Sequence, residues 1–280
     1  MQQEEGVLSM ERTRESILNL QQSWATRRGI HFGKRGYVKN LADNLYEPLK
    51  KDSLDDFVRG RGGELESKML ALHSSSALVV NFFHYWRYHG IPPLAELMGL
   101  SHQCTHLQFE RTYPKPAGVG GIRPHVDIEF TGASKPTAVE SKFTEPYSKG
   151  RKSLKKAYVE TPKVWGKYTS CELLANQIVS GEKVFEHLDA PQLIKQILGL
   201  KTKYGEEGFT LMYLWYDFAS AEADKHRQEI QNFKNSIENE IDFRHLTYQD
   251  LFKAVSSMLG VDNGYIFYMA DRYFPIPMET

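Results

Sequence analysis

Three stretches in the middle of the chain, THLQFERTYP (105–114), PHVDIEF (124–130) and TAVESKF (137–143), alternate polar and apolar residues. That period of two constrains the fold more than any other feature, because strand side chains point to opposite faces in turn and helical ones do not. Turn residues at 132–136 separate the second stretch from the third, so three successive antiparallel strands are predicted. Ahead of them, residues 68–89 place Leu72, Leu78, Val79, Phe82, Phe83 and Trp86 around most of a helix before Gly90 and Pro92, which predicts a buried helix. After them, 144–188 reads as a polar insertion with a helix around 170–180. Residues 190–200 then read as a helix closed by Gly199, 209–218 as a central strand, and 221–240 and 247–259 as amphipathic helices. The order helix, three strands, helix, strand gives a mixed α/β fold, a small sheet flanked by helices. Residues 1–63 carry Ile17, Leu18, Leu20 and Trp24 at helical spacing, with Gly-rich breaks at 29–36 and 60–63. They are expected to form an N-terminal helical arm on a core domain spanning 64–280.

Composition limits the partners. Lys plus Arg equals Asp plus Glu at 35 each, so no uniformly basic coat exists and nucleic-acid contacts must come from local patches. Two cysteines, Cys104 and Cys171, are too few for a disulfide framework or a zinc site. The chain has no apolar run long enough for a membrane span and opens on an acidic, polar segment, so a reducing cytoplasm is expected and no membrane partner.

The same alternation places the chemistry. In Val139-Glu140-Ser141-Lys142-Phe143, Glu140 and Lys142 share one strand face. Asp127 lies thirteen residues earlier on the preceding strand, a spacing that lets a hairpin set the two carboxylates opposite each other. Such a pair suits Mg²⁺, a hard cation that keeps most positions for water and phosphate oxygens, with Mn²⁺ as a substitute. A metal there supports hydrolysis of a phosphodiester, and Lys142 is placed to orient or deprotonate the attacking water. Glu129 shares the face of Asp127 and is either a ligand or an edge charge. Taken alone, Glu140 and Lys142 also fit a plain surface ion pair, worth at most about 1 kcal/mol.

Asp127 followed by Glu140-Ser141-Lys142 resembles the PD-(D/E)XK nuclease superfamily, in which an Asp on one strand precedes Glu-x-Lys on the next. The Pro-Asp dipeptide is lost here, with Pro124 displaced by two positions. The surrounding LHSSSALVVNFF (72–83), LQFER (107–111) and AVESKFTEP (138–146) resemble a group of bacterial type II restriction endonucleases, over roughly residues 64–252. The resemblance implies a restriction-endonuclease-like core and cleavage of double-stranded DNA. It also implies a third acid, for which Glu64 is preferred over Glu66 in the segment before the buried helix, with Glu110 on the first strand competing. Gln192 and Lys195 match polar supporting positions on the helix between the third and fourth strands.

KGRKSLKK (149–156) gathers Lys149, Arg151, Lys152, Lys155 and Lys156 just after the catalytic strand, as a phosphate-tracking loop or a solvated charge run. Arg27, Arg28, Lys34 and Arg35 carry the same two readings. His73 and Ser74 to Ser76 read as helix caps or packing, since no nucleophile motif surrounds them. His84 and His89 read as packing on an aromatic helix, and the glycines of GVGG (118–121) as a hairpin turn. Cutting both strands calls for two centres, so a homodimer is expected. The alternatives are a same-fold nuclease acting on RNA or in DNA repair, and a non-catalytic nucleic-acid or protein-binding module.

Overall fold

The computed structural model describes residues 2–274 except 61, 149–152, 207 and 238–239, with side chains from residue 13 onward. The elements follow in the order α1 (Gln2–Arg27), α2 (Lys51–Gly60), α3 (Ser75–His89), α4 (Ile91–Leu97), β1 (His106–Thr112), β2 (His125–Thr131) and β3 (Thr137–Lys142). After these come α5 (Ala157–Glu160), α6 (Thr169–Ser180), α7 (Ala190–Tyr204), β4 (Thr210–Trp215), α8 (Ala221–Ser236), β5 (Asp242–Thr247), α9 (Tyr248–Ser256) and α10 (Asn263–Arg272). One five-stranded sheet runs in the order β1-β2-β3-β4-β5. The first three strands are antiparallel, as the alternation requires, and β4 and β5 add in parallel. Parallel neighbours need long crossovers. α7 lies in the connection from β3 to β4, and α8 in that from β4 to β5.

The sheet separates two layers. On one side α3 is buried almost all round, Phe83 standing edge-on to Phe130 and Phe82 edge-on to Tyr248 of α9. On the other side α7 lies across β2 and β3. Gly199 does not close this helix, which continues to Tyr204. A Cβ there would come within 2.5 Å of Pro124 Cγ and 2.9 Å of Tyr113 Cβ, so the glycine marks a close approach of α7 to the β1–β2 connection. The buried helix also begins later than its apolar pattern suggests. Ser74 caps it by accepting from Ala77 N–H at 3.2 Å, and 68–70 forms a separate 3-10 turn.

Two elements escape the sequence pattern. β5 buries only Phe243 fully and so lacks a clear alternation. α10 hides a charge: Arg272 is 1% exposed, donating to Asn44 O at 2.8 Å and Gln21 Oε1 at 3.1 Å, with its guanidinium over Trp24. Residues 1–63 pack on the rest of the chain at two places. α1 meets α10 through Trp24 on Tyr268 and through Arg27 and Arg28 on Asp271. α2 covers the free edge of β1, where Asp56 accepts Phe109 N–H at 3.1 Å while paired with Arg87 at 2.6 Å.

Candidate active site

The β-ladder brings the acids into one row. Ile128 pairs with Val139, so one further step sets Asp127 opposite Glu140, and the β1–β2 register sets Glu110 opposite Asp127. Pairing lapses at both of these steps. Glu110 adopts a left-handed backbone (φ 50°), a conformation that costs a non-glycine residue about 1–3 kcal/mol and collects at functional sites. At Asp127 the side chain replaces a ladder bond, its Oδ2 accepting Ser141 N–H at 2.7 Å. Ser141 itself faces the opposite layer and shares a hydrogen bond with Tyr248 Oη at 2.7 Å.

Glu140 and Lys142 face α7 together. Lys142 Nζ donates to Glu140 Oε1 at 2.5 Å and to Gln192 Oε1 at 2.9 Å. Gln196, one turn beyond Gln192 and fully buried, donates through Nε2 to Glu140 Oε2 and to His125 O. Gln196 rather than Lys195 therefore holds Glu140. The i, i+4 spacing of two glutamines on one helix face was the signal for it. Lys195 makes no hydrogen bond or ion pair to Glu140 or Lys142 and lines the adjoining pocket.

The third-acid candidates separate by burial. Glu66 is exposed, while Glu64 is buried, accepting from Ser76 Oγ at 2.6 Å and Lys68 Nζ at 2.7 Å. Ser76 thus orients an acid, a role the serine run did not disclose, and Lys68 was not foreseen. Glu110 is buried close to both Glu64 and Glu140. Burial first, and then those two carboxylates, push its pKa up to about 8. Burial and the charges of Glu140 and Glu110 likewise hold Asp127 well above the usual carboxylate range. Burial works against the Lys142 ammonium, but Glu140, Glu145 and Asp127 outweigh it and raise its pKa.

Glu129, two residues from Asp127, is no exposed edge charge. It is 2% exposed and saturated: Tyr113 Oη donates at 2.8 Å, Tyr204 Oη at 2.5 Å and Lys203 Nζ at 3.4 Å, with Arg111 Nε at an ion-pair distance of 3.0 Å.

The row of Glu110, Asp127 and Glu140 offers hard oxygen donors, and the crowding raises the proton affinity of Glu110 and Asp127, an arrangement that a dication relieves. Among the described residues no group of three or more Asp, Glu, His or Cys side chains forms a ready metal cluster.

Of the basic run, Lys149, Arg151 and Lys152 lie outside the described residues. Lys155 and Lys156 are exposed, and Lys155 lines the pocket beside Gln192 and Gln196. Gly120 and Gly121 of GVGG line the same pocket, in a connection too long for a tight hairpin turn. His84 is buried against Ser53, and His89 stacks on Tyr85. Cys104 and Cys171 are buried and free, and none of the described helices is long and apolar enough to cross a membrane.

A family model described as "Restriction Endonuclease associating with ARP" matches residues 18–274. No curated protein and no solved structure matches the chain.

Proposed function

The chain belongs to the family of restriction endonucleases associating with ARP, and from that premise we propose that it is a Mg²⁺-dependent endonuclease hydrolysing phosphodiester bonds of double-stranded DNA. One observation carries the reading: Asp127 and Glu140 face α7 at one register step beside Lys142, with Glu110 completing the row. Asp127 and Glu140 would hold the ion, with Glu110 or Glu64 as the third acid. Bound there, Mg²⁺ or Mn²⁺ supplies neutralisation of phosphate charge and acidification of water. The side chains do the rest. Lys142 keeps a proton on Nζ and, with two of its donors directed to Glu140 and Gln192, offers the remaining one to the attacking water or a phosphate oxygen. Gln196 and Ser76 fix the angles of Glu140 and Glu64, and Lys68 offsets part of the acidic charge. Two centres, one per strand, imply a homodimer, which sedimentation of the purified chain tests.

The decisive experiment is cleavage of supercoiled plasmid and phage DNA with Mg²⁺, Mn²⁺ or chelator. Glu140→Ala is expected to lower cleavage by about 10²- to 10³-fold, the scale of losing a charge-stabilising group in a reacting site. Cleavage in chelator, or full activity of that variant, overturns the reading. Competition by RNA and by flap DNA separates the same-fold alternatives. A second reading, a nucleic-acid-binding module without catalysis, is favoured by the engagement of both Glu140 oxygens by Lys142 and Gln196. Duplex binding without cleavage under any metal selects it.

A further inference from the structure

The acidic row carries an ammonium group at each end. Glu110 and Glu140 flank Asp127 across the sheet, and Glu64 adds a fourth carboxylate on the Glu110 side, close enough for its charge to act on Glu110. Lys142 serves the Glu140 end with a side chain 12% exposed, and has Glu140, Glu145 and Asp127 as its charged neighbours. Lys68 serves the Glu64 end. Its hydrogen bond to Glu64 raises its pKa against burial, and the charges of Glu64, Glu110 and Asp127 add to that rise. Asp127 thus lies within range of both lysines, one from each end of the row. An ordinary i, i+4 surface pair joins two exposed side chains. Here Lys68 is 63% exposed and Glu64 only 10%, with Glu64 Oε2 held by Ser76 at 2.6 Å. The turn that carries Lys68 is tied down as well, since Met69 is fully buried and its N–H donates to Glu64 O at 2.8 Å. Backbone and acid are fixed, and the flexible lysine stem is what remains free to move.

We propose that Lys68 is the resident second cation of this site: it keeps the Glu64 end of the row from binding a metal, limits the row to one divalent ion at Asp127 and Glu140, and contacts a phosphate of the bound strand. The inference rests on the nuclease reading for the ion and the phosphate. Charge balance supports it. With Glu64, Glu110, Asp127 and Glu140 all ionised, four carboxylates face the two ammonium groups of Lys68 and Lys142. One divalent ion then brings the set to neutrality, and a second overshoots by two charges. Where two ions do the work, they sit about 4 Å apart and clamp the attacking and leaving oxygens. An ammonium is a compact point charge with three donors, so it supplies the charge of the second position. Among the described residues the Lys68 ammonium makes one hydrogen bond, to Glu64 at 2.7 Å, which leaves two donors for phosphate oxygens. Lys142, enclosed and holding both Glu140 and Gln192, stays fixed at the other end.

The test is titration of the full chain with Mn²⁺, the bound ions being counted from the electron paramagnetic resonance of the free ion. The native chain is expected to bind one ion and Lys68→Met two. Lys68→Arg, which keeps the charge, is expected to stay at one, and Lys68→Met combined with Glu64→Gln to return to one. Two ions in the native chain, or one in Lys68→Met, overturns the second-cation role. In Mg²⁺ that saturates the native chain, Lys68→Met is expected to lower the turnover of plasmid cleavage by about 10²-fold. Excess Mn²⁺ is expected to bring that turnover back to within about tenfold of the native chain, because the second ion restores the missing charge. Unchanged turnover overturns the phosphate contact, and a loss that excess Mn²⁺ leaves untouched overturns the substitution of lysine for metal. Two ions in Lys68→Met without cleavage by any chain keep the second cation and sink the nuclease. Cleavage by the native chain with one ion in every variant does the opposite, and no ion in any chain overturns both.

Discussion

Asp127 and Glu129 are two residues apart on one strand, point to one face and lie under one helix, yet their surroundings are opposite. Glu129 is neutralised by Arg111, Lys203 and two tyrosine hydroxyls. Asp127 has Glu110 and Glu140 as its charged neighbours, with Lys142 as partial compensation. A buried acid with a full set of partners holds a fold together. A buried acid among acids is unstable in the apo chain and gains from a cation. The contrast teaches that charge compensation, not burial or strand face, separates the structural acid from the candidate ligand.

The largest effect expected from this contrast is on Glu129. Glu129→Ala strips two tyrosines and two cations of their acceptor, and urea unfolding is expected to show a loss of about 3–5 kcal/mol. A loss below 1 kcal/mol would break the comparison. Next, Mg²⁺ at a hundredfold excess over its Kd is expected to stabilise the chain by about 2.7 kcal/mol and to leave an Asp127→Asn, Glu140→Gln double variant unmoved. Equal thermal shifts in both proteins would place the ion elsewhere. Glu110→Gln removes a carboxyl group whose ionised form the crowded row disfavours, and is expected to raise apo stability by about 1 kcal/mol while lowering cleavage, the usual exchange at a functional site. A stability loss there would mean that Glu110 is compensated as Glu129 is.

A control lies outside both clusters. Burial, with Lys50 and Arg87 nearby, lowers the pKa of His84 from 6.5 to about 4. Its neutral ring therefore favours the folded state fully above pH 6.5. As pH falls from 6.5 towards 4, the unfolded chain takes up a proton that the folded chain refuses, and stability drops. His84→Gln is expected to flatten that part of the stability curve; an unchanged slope would remove His84 as the cause.

The antiparallel part of the sheet was legible because a period of two leaves a strand only one way to bury one face. β4 and the helices α3, α7, α8 and α9 were legible from apolar runs and helical spacing. β5 and α10 were not, since one shows the core a single full side chain and the other buries an arginine. Within the site, the shared face of Glu140 and Lys142 follows from alternation alone. The placing of Asp127 opposite Glu140 needed the ladder register.

The sequence by itself thus determined which residues lie on which strand face, because that depends only on local backbone geometry. Tertiary structure decided the remainder. Glu64 is buried on Ser76 while Glu66 faces solvent, Gln196 rather than Lys195 reaches Glu140, and Glu129 is saturated while Asp127 is crowded. Those outcomes depend on groups 12 to 75 residues away in the chain, and no local pattern encodes the charge that a fold brings to a carboxylate.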